Sequence, residues 1–442
     1  MPKKELQNQS QEVEINMTQM AMAKKGKVTI EMGSLLKKEP ISEKALIRGI
    51  STGKIVILPN KRNNHHIGLG DGLRSKILCN TGTSTDSSSF TEVLEIVIEA
   101  EKYGASILCD QSSGPQFVEY RNHLLNASSL PIASIPLYQN AEEGMRIYDD
   151  PIHFNSTEVI KIFKEQIHQG ISAPGIHPIT KNLIKKIESS SRIIPYVSRG
   201  GTIMSAWIKR NNLENPYIQN FDKILDICAN NDVPLTFVCS TRAGCLADGF
   251  DDVQISEWKL IGDLVNKAHN KNVGAIVDGI GHLRIDKIPK AVEKLKQLTH
   301  NIPIGVMGPA ITDRGLGYEH ISHVIGATIA ILNGANYCQA CCRTEHIGLP
   351  EYKDVVEALR SYKIAIYGAD LAKIPSLQKL DNQISKARCK NEWGKQLDLA
   401  IEPYTAKEVF KRVGPKNPTK RGCTICGELC PFNIIDSQKE VN

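Results

Sequence analysis

The 442-residue sequence has no apolar run approaching the roughly 20 residues of a membrane span. This argues against a helix-threaded membrane protein. An export signal is also missing, because the first thirty residues open with the polar MPKKELQNQSQEVEINMTQM. The expectation is a cytoplasmic protein whose twelve cysteines act as ligands or core residues rather than as disulfides. No basic block is dense enough for nucleic acid, and the net charge of +6 is mild and suits an anionic small substrate. Repeats and low-complexity tracts are absent. So are the usual nucleotide signatures: GLGDGL (68–73) is not G-x-G-x-x-G and follows NNHH, and GISTGK (49–54) is one residue short of a P-loop. His65 and His66, in the same stretch, read as solvated loop residues.

What is present is a rhythm. Short apolar runs rich in β-branched residues occur at 76–80, 106–110, 131–136, 170–177, 193–198, 234–240, 273–279, 303–308 and 336–340. Amphipathic helical stretches such as TEVLEIVIEAEKYG (91–104) separate most of them. Strands alternating with helices imply a parallel sheet, and the repeat number predicts an α/β fold, a (β/α)8 barrel. Nine runs for eight places means that one is not a barrel strand. Before the barrel, residues 1–15 read as a loose polar tail, 17–25 and 43–49 as short helices, and KIVILP (54–59) as a strand. The expected division is a tail and small domain over 1–70, the barrel over 71–374, and helices, linker and tail over 375–442.

The tail holds RGCTICGELCPFN (421–433), with the spacing Cys423-x2-Cys426-x3-Cys430. Three thiolates this close can share one metal centre. A [4Fe–4S] cluster with one open iron fits three ligands, and the plainer alternative is a zinc knuckle whose fourth ligand lies elsewhere. An electron carrier or zinc-stabilised binding module would need that fourth ligand and no organised pocket.

Barrel enzymes keep their active sites at the C-terminal ends of the strands. One run ends in Asp278 and His282, and another is followed by Glu345 and His346. The two histidines, expected on neighbouring strand ends, suit a divalent metal with water or substrate completing its shell; each alone reads as a hydrogen-bonded structural residue. SRGG (198–201) and CSTRAG (239–244) each present an arginine, Arg199 and Arg242. Together they suggest a phosphoester clamp, with salt bridges to local carboxylates as the plainer reading.

In this order the segments MTQMAMAKKGKVTIEM, CNTGTS, CDQSSG, PLYQ, VSRGGT, DGIGH, MGPAITDRGLGYEHI and TEHIGLP, closed by the cysteine triplet, resemble the ThiC-type radical S-adenosylmethionine family, the phosphomethylpyrimidine synthase family. The likeness covers about 17–435. It implies that Cys423, Cys426 and Cys430 hold a [4Fe–4S] cluster whose open iron binds S-adenosylmethionine, and that His282 and His346 hold a metal, usually zinc. It further implies that Asn80, Tyr138, His177, Ser198, Arg199, Gly200 and Arg242 contact aminoimidazole ribotide. Implied partners are a flavodoxin- or ferredoxin-like electron donor and a second subunit, identical or paralogous, whose barrel the tail would cap; no nucleic acid and no membrane are implied.

The chain departs from the family's pyrimidine synthases near the substrate. Cys109 replaces the methionine of M-D-L-S-T-G. D-G-L-R becomes Cys239-Ser240-Thr241-Arg242, and E-G-P-G-H becomes Asp278-Gly-Ile-Gly-His282. An aromatic ahead of G-P becomes Gly305, and the H-C-G/H-A-G segment is one residue shorter at His177-Pro178. These departures resemble the family's anaerobic 5-hydroxybenzimidazole synthases, which make a cobamide lower ligand from the same ribotide. That product is the primary expectation, with the pyrimidine phosphate of thiamin synthesis as the alternative.

Overall fold

The computed structural model describes residues 17–84, 90–416 and 422–434. The expected loose tail (1–15) and residues 417–421 of the expected linker lie outside these. Contacts divide the chain into two compact units, Met1–Ala369 and Asp370–Asn442.

The first unit begins with three helices, Gln19–Lys24, Ile30–Lys38 and Glu43–Ser51. Thr18, Thr29 and Ser42 cap their N-termini by accepting hydrogen bonds from backbone N–H groups two or three residues into each helix. An antiparallel hairpin follows, β1 (Ile55–Asn60) paired with β2 (His65–Gly70). The continuous apolar run IVIL of β1 reflects burial on both faces. Ile55 and Ile57 pack on Met32, Leu35, Leu46 and Ile50 of the helices. Val56 and Leu58, one residue out of phase, point the other way with Leu69 and meet the inner wall of the barrel. His65 and His66 are therefore strand residues, and His66 is buried. The expectation of a solvated loop fails because β1 recruits this polar-looking stretch as its pairing partner.

The barrel consists of β3 (Lys76–Thr81), β4 (Ile107–Asp110), β5 (Ile132–Ser134), β6 (Ala173–Ile176), β7 (Leu235–Val238), β8 (Ala275–Gly279), β9 (Ile304–Val306) and β10 (Tyr337–Ala340). All neighbours pair in parallel, and β10 closes on β3 with Tyr337 opposite Lys76 and Gln339 opposite Leu78. Eight of the nine expected runs are these strands; IIPYVS (193–198) is the exception. Its backbone is diverted: the amides of Ile193 and Ile194 donate to the Asp248 carboxylate at 2.9 and 2.8 Å. Pro195 could not donate to a ladder in any case. The segment then delivers Ser198, whose hydroxyl accepts from Gly201 N and caps the helix Arg199–Asn211.

The hairpin plugs the N-terminal mouth of the barrel. The Asn60 side-chain amide donates to the carbonyls of Ser128, Ser129 and Leu130, just before β5. Leu58 and Leu69 then cover Leu78, Ile107, Ala133, Ala173, Ile276 and Tyr337 from below. Outside the strands the helices bury a continuous core that includes Trp207, Trp258, Phe163 and Tyr217. No helix among the described residues is long and apolar enough to cross a membrane.

The second unit contains the helices Gln378–Cys389, Trp393–Asp398 and Pro403–Val413, with the rings of Trp393 and Phe410 4.9 Å apart. Its cysteine segment is tied back within the unit: Gly422 N donates to Asn391 Oδ1 and Thr424 Oγ1 to the Val413 carbonyl.

Leu58 is 1% exposed. Leu58→Ala should lower the unfolding free energy by about 2–4 kcal/mol, through lost burial and a residual cavity. Urea denaturation checks this, and a change below about 1 kcal/mol would mean that the plug contributes little to the barrel.

Candidate active site

The small inward residues Ala133, Ala173 and Gly175 leave space above the plug. A cavity of about 700 Å³ opens there, lined by side chains from all eight barrel strands or the loops that follow them. At its C-terminal end the lining turns polar. Arg199, the first residue of its helix and not a strand end as expected, lies with its guanidinium 4.0 Å above the Tyr138 ring. Its Nη2 donates to Gln111 Oε1 at 2.9 Å. Gln111 Nε2 donates in turn to Cys109 Sγ at 3.2 Å and to Asn80 Oδ1 at 3.5 Å. Asn80 Nδ2 donates to Gln339 Oε1 at 3.2 Å, and Gln339 Nε2 donates to Asp278 Oδ2. One hydrogen-bonded chain thus runs from Arg199 across the pocket to Asp278.

His177 and Asp278 frame the remaining space. Both nitrogens of His177 lack a partner although the residue is 1% exposed. Burial, then the Arg242 and Arg199 guanidiniums, push its pKa down to about 3, so the ring is neutral. Asp278 Oδ1 is likewise buried and unpartnered, and burial raises this carboxyl to about 6 against the pull of Arg242 and Gln339. Orphaned polar atoms at such depth are costly unless something meets them, and a polar ligand in the cavity would. Cys109 is buried, and burial first, then the charge of Asp110, pushes its thiol pKa up.

Gly200 and Gly201 are needed for close approach. A Cβ at 200 would lie 2.2 Å from His177 Cε1, and one at 201 would lie 2.9 Å from Ser240 Cα. The expected contacts Ser198, Gly200, Cys239, Ser240 and Thr241 are not in the cavity wall. Ser240 N, Thr241 N and Thr241 Oγ1 instead donate to the buried Glu257 carboxylate at 2.7, 2.9 and 2.6 Å. Gln111, Gln339 and Tyr337 line the cavity and were not singled out from the sequence. The period-2 alternation of β10, with Tyr337 and Gln339 both inward, was the available signal. Tyr337 fills the space over Gly305, where a Cβ would come 2.1 Å from its Cζ.

His282 follows β8 and His346 follows β10, so β9 stands between their strands and they are not on neighbouring ends. They meet nonetheless, with Nε2 atoms 3.3 Å apart. Nδ1 of His282 lies 2.7 Å from Asp313 Oδ1, and Nδ1 of His346 lies 3.2 Å from Glu319 Oε1. Carboxylates accept, so each Nδ1 carries the hydrogen, and with both rings neutral two Nε2 lone pairs face each other. That arrangement has the donor chemistry to suit a cation. The separation also matches the roughly 3.3–3.4 Å between two nitrogens bound tetrahedrally at ~2.0–2.1 Å.

The model of the Radical SAM ThiC family matches residues 18–437. This chain belongs to that family. It is 35% identical over 429 residues to the phosphomethylpyrimidine synthase of Desulforamulus reducens, covering 95% of this chain and 98% of the relative. The enzyme of the same name from Pyrococcus furiosus is 36% identical over 425 residues, with coverage of 95% and 98%. That of Dehalococcoides mccartyi is 33% identical over 430 residues, with coverage of 96% and 99%. These names agree with the alternative product better than with the primary expectation.

A ThiC-family member implies a [4Fe–4S] cluster and S-adenosylmethionine. The tail supplies a fitting donor set. Cys423 and Cys426 are exposed thiols, and Cys430 follows the short 3-10 turn Gly427–Leu429. Gly422, at φ +90°, makes room for the third sulfur, since a Cβ there would lie 2.8 Å from Cys430 Sγ.

Asp278 has a testable pH signature. The folded chain keeps a proton that the unfolded chain, with a carboxyl near 3.8, releases as pH rises. Its contribution to stability therefore falls as pH rises between about 4 and 6 and stays low above that window. Between pH 4.5 and 7.5, Asp278→Asn should gain about 2 kcal/mol relative to the parent in urea titrations. An identical gap at both pH values would mean that Asp278 titrates normally.

Proposed function

We propose that this protein rearranges 5-aminoimidazole ribotide by radical S-adenosylmethionine chemistry to the pyrimidine phosphate named for its relatives. The observation that carries the reading is the convergence of Arg199 and Arg242 on His177 at a cavity whose far side is polar and buried. The two guanidiniums take the phosphate. His177, held neutral beside them, offers a donor and an acceptor to the ribose without adding a third charge. Asn80, Gln339 and Asp278 face the imidazole end. Asp278 Oδ1 can hold or release a proton there near neutral pH, because its pKa is about 6. The plug beneath and the enclosing loops keep water from the reacting carbons.

Cys423, Cys426 and Cys430 would hold the cluster that, when bound with S-adenosylmethionine, supplies reductive cleavage and the initiating radical. His282 and His346 would hold a divalent metal, with zinc the best match to paired imidazoles. A low-potential one-electron donor such as a flavodoxin or ferredoxin completes the system.

A second reading is favoured by one observation, the pocket floor. Gly305 bears no side chain, Tyr337 lies across it, and Cys109 and Asp278 stand beside it. Steering a radical between two products takes only ~1–3 kcal/mol, so such a floor supports 5-hydroxybenzimidazole as product, with or without a paralogous subunit. The two readings separate in one anaerobic incubation with ribotide, S-adenosylmethionine and reductant, read by mass spectrometry. Pyrimidine phosphate supports the first reading and benzimidazole the second, and an unconsumed ribotide in cluster-loaded protein would count against both.

Two variants test the roles. Cys426→Ala should abolish formation of 5′-deoxyadenosine while leaving the far-UV circular dichroism unchanged; a variant that lacks iron yet still forms the nucleoside would remove the cluster assignment. Arg199→Ala should weaken ribotide binding by about 1.5–3 kcal/mol, roughly 10- to 100-fold, for a lost charged hydrogen-bond pair. Calorimetry with the ribotide reads this directly.

A further inference from the structure

The segment from Met307 to Leu332 follows β9 and orients the metal pair. Asp313 and Glu319 hold the Nδ1 atoms of His282 and His346. Glu319 also does a second job. Its backbone carbonyl lies 2.8 Å from Nδ1 of His323, one turn further along the helix Glu319–Leu332. A carbonyl only accepts, so Nδ1 of His323 carries the hydrogen and Nε2 is left as a lone pair, which is the ligating tautomer. His323 is buried, at 3% exposure. Its ring centre is 6.3 Å from that of His282 and 6.1 Å from that of His346, while those two are 5.1 Å apart.

These distances have a direct meaning. Two imidazoles bound tetrahedrally through Nε2 keep their ring centres about 5 Å apart, as His282 and His346 do. His323 stands about 1 Å outside that separation from both. The ring has room only because residue 308 is glycine, at φ +95°: a Cβ there would lie 2.4 Å from His323 Cδ2. Among the described residues no three His, Cys, Asp or Glu side chains already converge at ligand spacing, so ligation by His323 would require its ring to shift inward.

We propose that His323 is the third imidazole of the metal centre. His282, His323 and His346 then form a three-nitrogen face for a divalent cation such as zinc, with the remaining position left to water or substrate. Neutral nitrogen ligands leave the cation's full charge to act on whatever occupies that position. The inference rests on reading His282 and His346 as the metal pair.

The test uses the full-length, cluster-loaded protein and zinc itself. Zinc-edge X-ray absorption should count three imidazoles in the unmodified protein; two imidazoles completed by oxygen would overturn the proposal without any variant. In chelator competition, His323→Ala and the larger His323→Gln should each raise the zinc Kd at least about tenfold, with circular dichroism unchanged. A Kd within about twofold of the parent in both variants would overturn it. His346→Ala separates the two claims: it should abolish tight zinc binding, and retention of binding there would overturn the pair itself and the third ligand with it.

Discussion

The interior of an eight-stranded parallel barrel has to be filled or lined, and in this protein the two ends solve that demand differently. At the N-terminal end the hairpin Ile55–Gly70 inserts Val56, Leu58 and Leu69 against the inward residues of six strands. That apolar contact closes the bottom to water. Only because it does can the upper half remain open, with alanine and glycine at inward positions of β5 and β6 and a cavity above them. Every side chain given a chemical role in the first unit projects from the C-terminal half of this frame, as barrel geometry favours.

The cavity's electrostatics follow from that enclosure. Burial disfavours charge, so His177 is neutral beside two arginines and Asp278 stays protonated to unusually high pH. Several neighbouring polar groups are satisfied internally. Glu257 takes the amides of Ser240 and Thr241, and Gln111 and Gln339 pass hydrogen bonds along the wall from Arg199 to Asp278. At the cavity itself both nitrogens of His177 and Oδ1 of Asp278 are buried without partners, and an organised pocket of this kind is not what an electron carrier or a zinc-stabilised binding module needs.

Family membership and pocket shape bear on different questions. Identity spread over nearly the whole chain speaks to the family and its radical S-adenosylmethionine chemistry. The proposed choice of product turns on a few walls, where Gly305, Tyr337, Cys109 and Asp278 meet. The loop after β9 adds a further layer. It contributes little to the cavity wall, yet its carboxylates meet Nδ1 of both His282 and His346 and its helix brings a third imidazole near them.

The sequence by itself determined the barrel, because alternation of β-branched runs with amphipathic helices is a local property that survives without tertiary knowledge. It also determined the cysteine triplet, whose ligands are neighbours in the chain, and the collinear segments that mark the family. Tertiary structure decided the rest. IIPYVS has the composition of a strand, but Asp248 captures its amides; His65 and His66 look solvated, but β1 pairs with their backbone. Ser240 and Thr241 sit beside Arg242 in sequence, yet only Arg242 reaches the cavity, because Glu257 holds the other two. The strand-end pattern pairs His282 with His346, but on neighbouring strands; that they meet across the end of β9 is not in the spacing. It depends on where loops from three strands converge, and long-range packing sets that convergence rather than any local pattern.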